Sequence, residues 1–271
     1  MTQFDLPGGI VFNGKLGSVY PIKNHTDQRL PKGVTENVSH AWYEGEQTLH
    51  PWEGETNPHY TGFKDDGKST WIKSPRFEGH PVQVSPLAQV LIAYAQGHKL
   101  THKWAGEAIN RVSANSKIQV IPVRLHSTLG RIAARAIRAS MLADHANKHW
   151  DLLVKNIASG DSKIYVKPQF GDKELHGVGF HEAPRGTLSH WVVIKEGQIA
   201  NFQAVVPTTW NAGPRDEIGS HGPYEASLLG NPVADAQRPL EVLRTVHSFD
   251  PCLACAIHTF DPDGKEVIRV S

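Results

Sequence analysis

The sequence predicts an α+β fold, helix-rich in its middle, and three observations carry the prediction. Apolar residues recur at helical spacing from Leu87 and again beyond Ser127. Two strand-like runs flank the tight-turn pair Glu196-Gly197. The first part of the chain, through about residue 80, is instead punctuated by Gly, Pro, Asn and Asp and holds no sustained period.

In chain order, Pro7-Gly8-Gly9, His50-Pro51-Trp52-Glu53-Gly54 and Asp65-Asp66-Gly67 predict long loops with short strands between them, such as 69–73. Loops of this length are uncommon unless they are functional or packed on a partner. Leu87, Val90, Leu91, Tyr94 and Ala95 form one apolar helix face, and a less sharply patterned helix spans about 100–114. The best helix covers about 127–149, with Ser127 or Thr128 as N-cap. Leu129, Ile132, Ala133 and Ala136 are expected to line one side, with Arg131, Arg135 and Arg138 around the other faces. Its small residues (Gly130, Ala133, Ala134, Ala136, Ala139) predict close contact with another helix. From Gly179 the pattern turns to strands, and 191–195 and 198–206 form a hairpin. A Pro/Gly/Asn-rich stretch at 207–232 leads to a helix near 234–247. With neither internal repeat nor low-complexity linker, 1–271 reads as a single domain.

Composition narrows the function. A chain of 271 residues, 39% hydrophobic, can bury a substantial core, and a net charge of +1 leaves no footprint for nucleic acid. Mean hydropathy is −0.38 and no apolar run reaches membrane-spanning length. Residues 1–10 lack a basic stretch followed by a long apolar one, so no signal peptide is expected. Two cysteines allow at most one bridge, which excludes a disulfide framework. The sixteen His and seven Trp are scattered and point to no role as a group.

Both cysteines lie in Asp250-Pro251-Cys252-Leu253-Ala254-Cys255-Ala256-Ile257-His258. Asp as N-cap followed by Pro at the first position predicts a helix, because Asp accepts the orphan N–H groups and Pro needs no partner for its own. Cys252 and Cys255 would then sit one turn apart near the positive helix end, which favours thiolates, soft ligands for nickel, iron, copper or zinc. His258 extends the stripe. Two thiols are half of a four-sulfur site. The same spacing also fits two buried cysteines on an amphipathic helix, a redox pair, or half a zinc site.

A second run, Glu182-Ala183-Pro184-Arg185-Gly186-Thr187-Leu188-Ser189-His190-Trp191, starts like a zinc-protease motif with His181-Glu182. The required second histidine is Arg185, and Pro184 would break the helix, so that reading fails. A rigid turn presenting one arginine remains, which suits a small anion or a bound species, or else an ordinary surface ion pair. The run Val205-Val206-Pro207-Thr208-Thr209-Trp210-Asn211 reads as a strand ending in a capped turn.

Together these stretches resemble the C-terminal half of the large subunit of the uptake-type nickel–iron hydrogenases. The resemblance also rests on Ala41-Trp42-Tyr43, Leu49-His50-Pro51-Trp52-Glu53-Gly54-Glu55-Thr56, Trp71-Ile72-Lys73-Ser74-Pro75-Arg76 and Leu129-Gly130-Arg131. It implies a helix-rich, partial version of that fold with a β-hairpin before the metal site. It also implies reversible heterolytic splitting of H2 into protons and electrons at a Ni-Fe centre. Cys252 resembles the terminal nickel thiolate and proton acceptor, and Cys255 the thiolate bridging nickel and iron. Arg185 resembles the guanidinium over the open metal position, held by Asp250. Pro184, Arg185, Leu188, Pro207 and Thr208 resemble the pocket around the iron's cyanide and carbon monoxide ligands, with Arg185 and Thr208 donating to the cyanides. His258 and the backbone carbonyl of Ala204 resemble magnesium ligands.

The implied partners are an iron–sulfur small subunit and a membrane cytochrome b on the periplasmic side of the cytoplasmic membrane. Export would follow the small subunit's twin-arginine signal. A maturation endopeptidase would cut after His258, making 259–271 a removable tail of a precursor that is cytoplasmic until then. The sequence departs from the family in three ways. It holds neither the other C-x-x-C pair nor the proton-transfer glutamate of the N-terminal half. Residues 82–89 replace the usual acidic, glycine and basic choices. The tail is still attached, and its 261–264 turn and Val267-Ile268 pair would also suit a terminal strand. The same residues would fit an inactive fragment or an independent zinc or redox protein. A half-subunit exposes surfaces meant for missing helices, so poor solubility is expected of it alone.

Overall fold

A computed structural model of the chain describes residues 5–24, 27–54, 56–64, 66–252, 259–260 and 266–268. In chain order its strands and helices are β1 (Gly8–Val11), β2 (Val19–Ile22), α1 (Arg29–Gly33), β3 (Val34–Asn37), β4 (Thr48–Leu49), β5 (Ser74–Phe77), α2 (Pro86–Ala95) and α3 (Lys99–Ser116). Then follow α4 (Thr128–Ala158), β6 (Leu175–Ala183), β7 (Gly186–Lys195), β8 (Gln198–Val205), α5 (Pro207–Ala212), α6 (Pro223–Leu228), α7 (Leu240–Ser248), β9 (Thr259–Phe260) and β10 (Glu266–Ile268). The chain divides into two compact units.

The first unit comprises Met1–Gln28, Pro86–Gly177 and Val192–Phe202. It holds the antiparallel pair β1–β2, in register from Gly8↔Ile22 to Val11↔Val19, and the long helices. The expected face of α2 is realised: Leu87, Val90 and Leu91 pack with Ala105 of α3, Leu125, and Ala134, Ile137 and Met141 of α4. Each larger side chain buried this way contributes about 1.5–3 kcal/mol.

α4 begins as expected, with the Ser127 hydroxyl accepting the Gly130 amide at 3.1 Å, but runs on to Ala158. Its buried face is rotated from the expected one. Gly130, Ala134, Ile137, Arg138 and Met141 are buried, while Leu129 is 79% and Ile132 48% exposed. Two contacts set that rotation. A Cβ at Gly130 would lie 2.2 Å from the Leu125 carbonyl oxygen, so only glycine fits there. Arg138, expected outside, is drawn in by Gln89, whose Oε1 accepts its Nε at 2.8 Å.

The second unit comprises Arg29–Ser85, Val178–Trp191 and Gln203–Ser271. Its first sheet, ordered β4-β3-β5, is antiparallel, with Val34↔Phe77, Asn37↔Ser74 and Glu36↔Leu49 in register. The strand expected at 69–73 lies instead at β5, and Thr70 makes only an isolated bridge to Ala41. The shift has a polar cause: the Ser74 hydroxyl donates to the Pro214 carbonyl at 2.7 Å, and the buried Arg76 pairs with Asp216 at 2.7 Å. A second sheet is ordered β6-β7-β8. Glu196 (φ +51°) and Gly197 (φ +73°) make the expected two-residue turn. The run expected as a capped turn is the short helix α5, with Pro207 at its first position. β9 and β10 pair antiparallel, so 259–260 and 266–268 form a strand pair.

Candidate metal centre

Three local structures bring the expected residues together, all in the second unit. The first is the turn Pro184-Arg185 between β6 and β7. Gly186, next in line, has φ +129°, and a Cβ there would lie 2.8 Å from the Val84 carbonyl carbon and 2.9 Å from the Ser85 nitrogen. Only glycine allows that approach. Leu188 follows, half-buried on β7. Behind the turn, Trp191 is fully buried between the rings of His50, Trp52 and Phe180, which explains the aromatic His50-Pro51-Trp52 run.

The second is α5. Its buried Asn211 clamps the segment that Gly186 abuts: Val84 donates its amide to Asn211 Oδ1 at 3.0 Å, and Asn211 Nδ2 donates to the Val84 carbonyl. Pro207 and Thr208, also buried, start the same helix. The Thr208 hydroxyl accepts the backbone N–H of Cys252 at 3.1 Å.

The third is the chain leaving α7. Asp250 has φ +61° and donates its amide to the His247 carbonyl at 3.0 Å. It therefore ends α7 in the left-handed region, which Asp tolerates better than most residues. This corrects the expectation of an N-cap, which needs extended backbone. Pro251 and Cys252 stand in no regular element, and the residues that would continue the expected helix lie outside the described ones. Cys255 and His258 lie outside the described residues.

Across these pieces, Arg185 Nε and Asp250 Oδ1 are 3.8 Å apart, the guanidinium side chain 46% exposed. Cys252 is half-buried. Arg185, Thr208, Asp250 and Cys252 are thus joined by one ion pair, one hydrogen bond and two residues of chain. Tyr224, which sequence reasoning missed, borders the group. Burial pushes its phenol up, and the Asp250 carboxylate adds to the shift. Its ring packs on Phe249 at 4.8 Å between centroids. It lies in a Gly/Pro-rich stretch with no pattern to flag it, as does Asp216.

Ala204 lies exposed on β8 beside Gln203, which is well anchored. Gln203 donates through Nε2 to the Gly54 carbonyl at 2.7 Å, and its Oε1 accepts from Lys73 Nζ at 3.1 Å. Lys73 also pairs with the buried Glu36 at 3.2 Å. Burial pushes the Glu36 carboxyl up, and Lys73 pulls it the other way.

The donor chemistry fits a soft metal. A half-buried thiol, two residues from a carboxylate paired with a guanidinium, supplies a thiolate ligand and an outer contact to orient it. Two cysteines make up half of a four-thiolate set.

The nickel-dependent hydrogenase family matches residues 1–258. The hydrogenase-2 large chain of Escherichia coli K12 is 49% identical over 271 residues, covering 99% of this chain and 47% of that protein. The uptake hydrogenase large subunit of Rhizobium leguminosarum bv. viciae is 44% identical, with 99% and 47% covered. Among solved structures, a NiFeSe hydrogenase of Dm. baculatum superposes with TM-score 0.70 at 30% identity, covering 94% of this chain and 48% of that one. The chain therefore spans about half the length of the relatives it matches.

Proposed function

The chain belongs to the nickel-dependent hydrogenase family, and from that premise we propose that it forms part of a large subunit that oxidises H2 reversibly at a Ni-Fe centre. The observation that carries this reading is the meeting of Arg185, Asp250, Thr208 and Cys252. Within that subunit, 1–271 acts as the C-terminal part, and 259–271 is the tail that a maturation endopeptidase removes after His258.

Cys252 and Cys255 would hold nickel, Cys255 also iron, with the missing thiolates coming from the remainder of the subunit. When bound, the Ni-Fe centre, whose iron carries CN and CO, supplies the Lewis acidity that lets H2 part heterolytically and takes up its electrons. Cys252 Sγ would accept the first proton, a role suited to a thiolate. Asp250 holds Arg185 by its Nε, leaving the two terminal amino groups of the guanidinium as donors. The Thr208 hydroxyl accepts from Cys252 and still has its own hydrogen to donate, so it fixes the thiol's backbone while serving a cyanide nitrogen. Pro184, Leu188 and Pro207 would line the pocket around the carbon monoxide. The Ala204 carbonyl and His258 would hold Mg, the Ala204 peptide steadied by the Gln203 contacts. Overall, H2 yields two protons and two electrons.

The electrons would pass to an iron–sulfur small subunit and then to a membrane cytochrome b on the periplasmic side. The quinone-reactive Ni/Fe-hydrogenase large chain of Wolinella succinogenes, 39% identical, supports that direction. Among the described residues, no helix is long and apolar enough to cross a membrane.

Replacing Arg185 by Lys in the assembled enzyme tests the reading. A lysine keeps the charge but loses the planar fork. Hydrogen uptake should fall about 10²-fold or more with nickel content unchanged. Unaltered uptake would sink the assignment.

A further inference from the structure

We propose that Asp5, His145 and His149 form a binding site for a divalent transition-metal ion, zinc in chemical type, that clips the segment ahead of β1 to α4. The site lies wholly within the first unit.

The geometry has three parts. His145 and His149 stand at i and i+4 of α4, one above the other on the same face. Asp5 reaches that face from a segment anchored just after it: Leu6 packs against the helical core, and Gln96 Nε2 donates to the Gly8 carbonyl at 3.0 Å. One donor atom from each of the three lies within 4.8 Å of the others, and His149 Nε2 is already 2.7 Å from Asp5 Oδ2. Zinc ligands at about 2.0–2.2 Å from the metal stand a little over 3 Å apart, so the three donors, within 4.8 Å of one another, need shift only by an ångström or two to close on an ion.

The chemistry selects the ion. Two imidazoles and one carboxylate suit zinc and its neighbours and leave a fourth position for water, whereas calcium and magnesium demand oxygen ligands. Lys148 Nζ engages Asp5 Oδ1 at 2.5 Å, and the metal would take Oδ2 in place of the His149 hydrogen bond. Half-exposed side chains leave an entry path.

An exposed ion-pair cluster of Asp5 with Lys148 and His149 would explain two of these contacts, and such pairs are worth little. It gives His145 no part. A metal site needs it. That difference sets the test.

Zinc is titrated into the full chain carrying Cys252→Ser and Cys255→Ser, so that thiols do not compete, with a chromophoric chelator as reporter. One zinc should bind, and His145→Asn, which leaves both Asp5 ion pairs intact, should weaken it by at least about tenfold, the loss typical even of an outer contact. Excess zinc should raise the melting temperature of the parent and not of the variant. His149→Gln provides a second variant if the first unfolds. Equal affinity in parent and His145→Asn would overturn the proposal. So would no zinc binding tighter than about millimolar in the parent.

Discussion

At the scale of single residues, Asp250 does two jobs with one backbone geometry. Its left-handed φ ends α7, and its carboxylate then lies 3.8 Å from Arg185. Asp250→Asn keeps the shape and removes the charge that holds the guanidinium. Turnover of the assembled enzyme should drop on the order of 10–100-fold, while the melting temperature moves little. Asp250→Gly would relax the backbone as well, so the asparagine variant isolates the charge.

The pair Arg76–Asp216 shows the opposite case, a charge that serves stability. Burial alone would raise the Asp216 carboxyl, but the Arg76 bond and the backbone N–H groups of Ser220 and Ile218 outweigh it and hold the carboxyl below its ordinary value. A depressed carboxylate stabilises the fold above its unfolded pKa, about 3.9, and that contribution is lost as pH falls through the lower folded value. Urea unfolding across the acid range should show this loss in the parent and a flatter profile in Asp216→Asn. At neutral pH, breaking the pair should cost about 3–5 kcal/mol, because Arg76 stays buried without its counter-charge.

At the scale of elements, the site depends on two short pieces that meet at Val84. Gly186 abuts Val84 and Ser85, and Asn211 clamps Val84 from α5. Gly186→Ala would place a Cβ under 3 Å from that backbone and force a strained φ. It should cost at least about 1–3 kcal/mol by thermal unfolding and lower metal content along with it. Asn211→Ala, which leaves the buried Val84 groups unbonded, should cost a similar amount.

How far these elements were legible differs from case to case, for physical reasons. The apolar face of α2, the cap at Ser127 and the Glu196-Gly197 turn rest on local rules and stand where the sequence placed them. The rotation of α4 was hidden, because it is set by Gly130 against Leu125 and by Arg138 reaching Gln89, contacts that no periodicity encodes. Asp-Pro at 250–251 looked like a helix start, yet the preceding helix had the first claim on Asp250. Arg185, Asp250 and Cys252 were readable as motifs, whereas Thr208's bond to the Cys252 backbone needed the fold.

At the scale of the whole molecule, apolar surface is the telling feature. Trp150, Leu152, Leu153, Val154 and Ile157 on the last turns of α4 are exposed, as are Ile164, Tyr165 and Val166 beyond it. Soluble proteins seldom leave so many neighbouring apolar side chains open to water. The chain produced alone should self-associate, seen by light scattering as mass rising with concentration. Production with the rest of the subunit should suppress this. A monodisperse monomer at all concentrations would count against the half-subunit reading.

Metal content tests the central claim most directly. The native polypeptide carrying this chain is captured from its host, with and without Cys252→Ser, and its nickel and iron are measured by mass spectrometry. The account predicts stoichiometric nickel in the parent and its loss in the serine variant. Equal nickel in both, or none in the parent, would contradict the assignment of Cys252 as a nickel ligand.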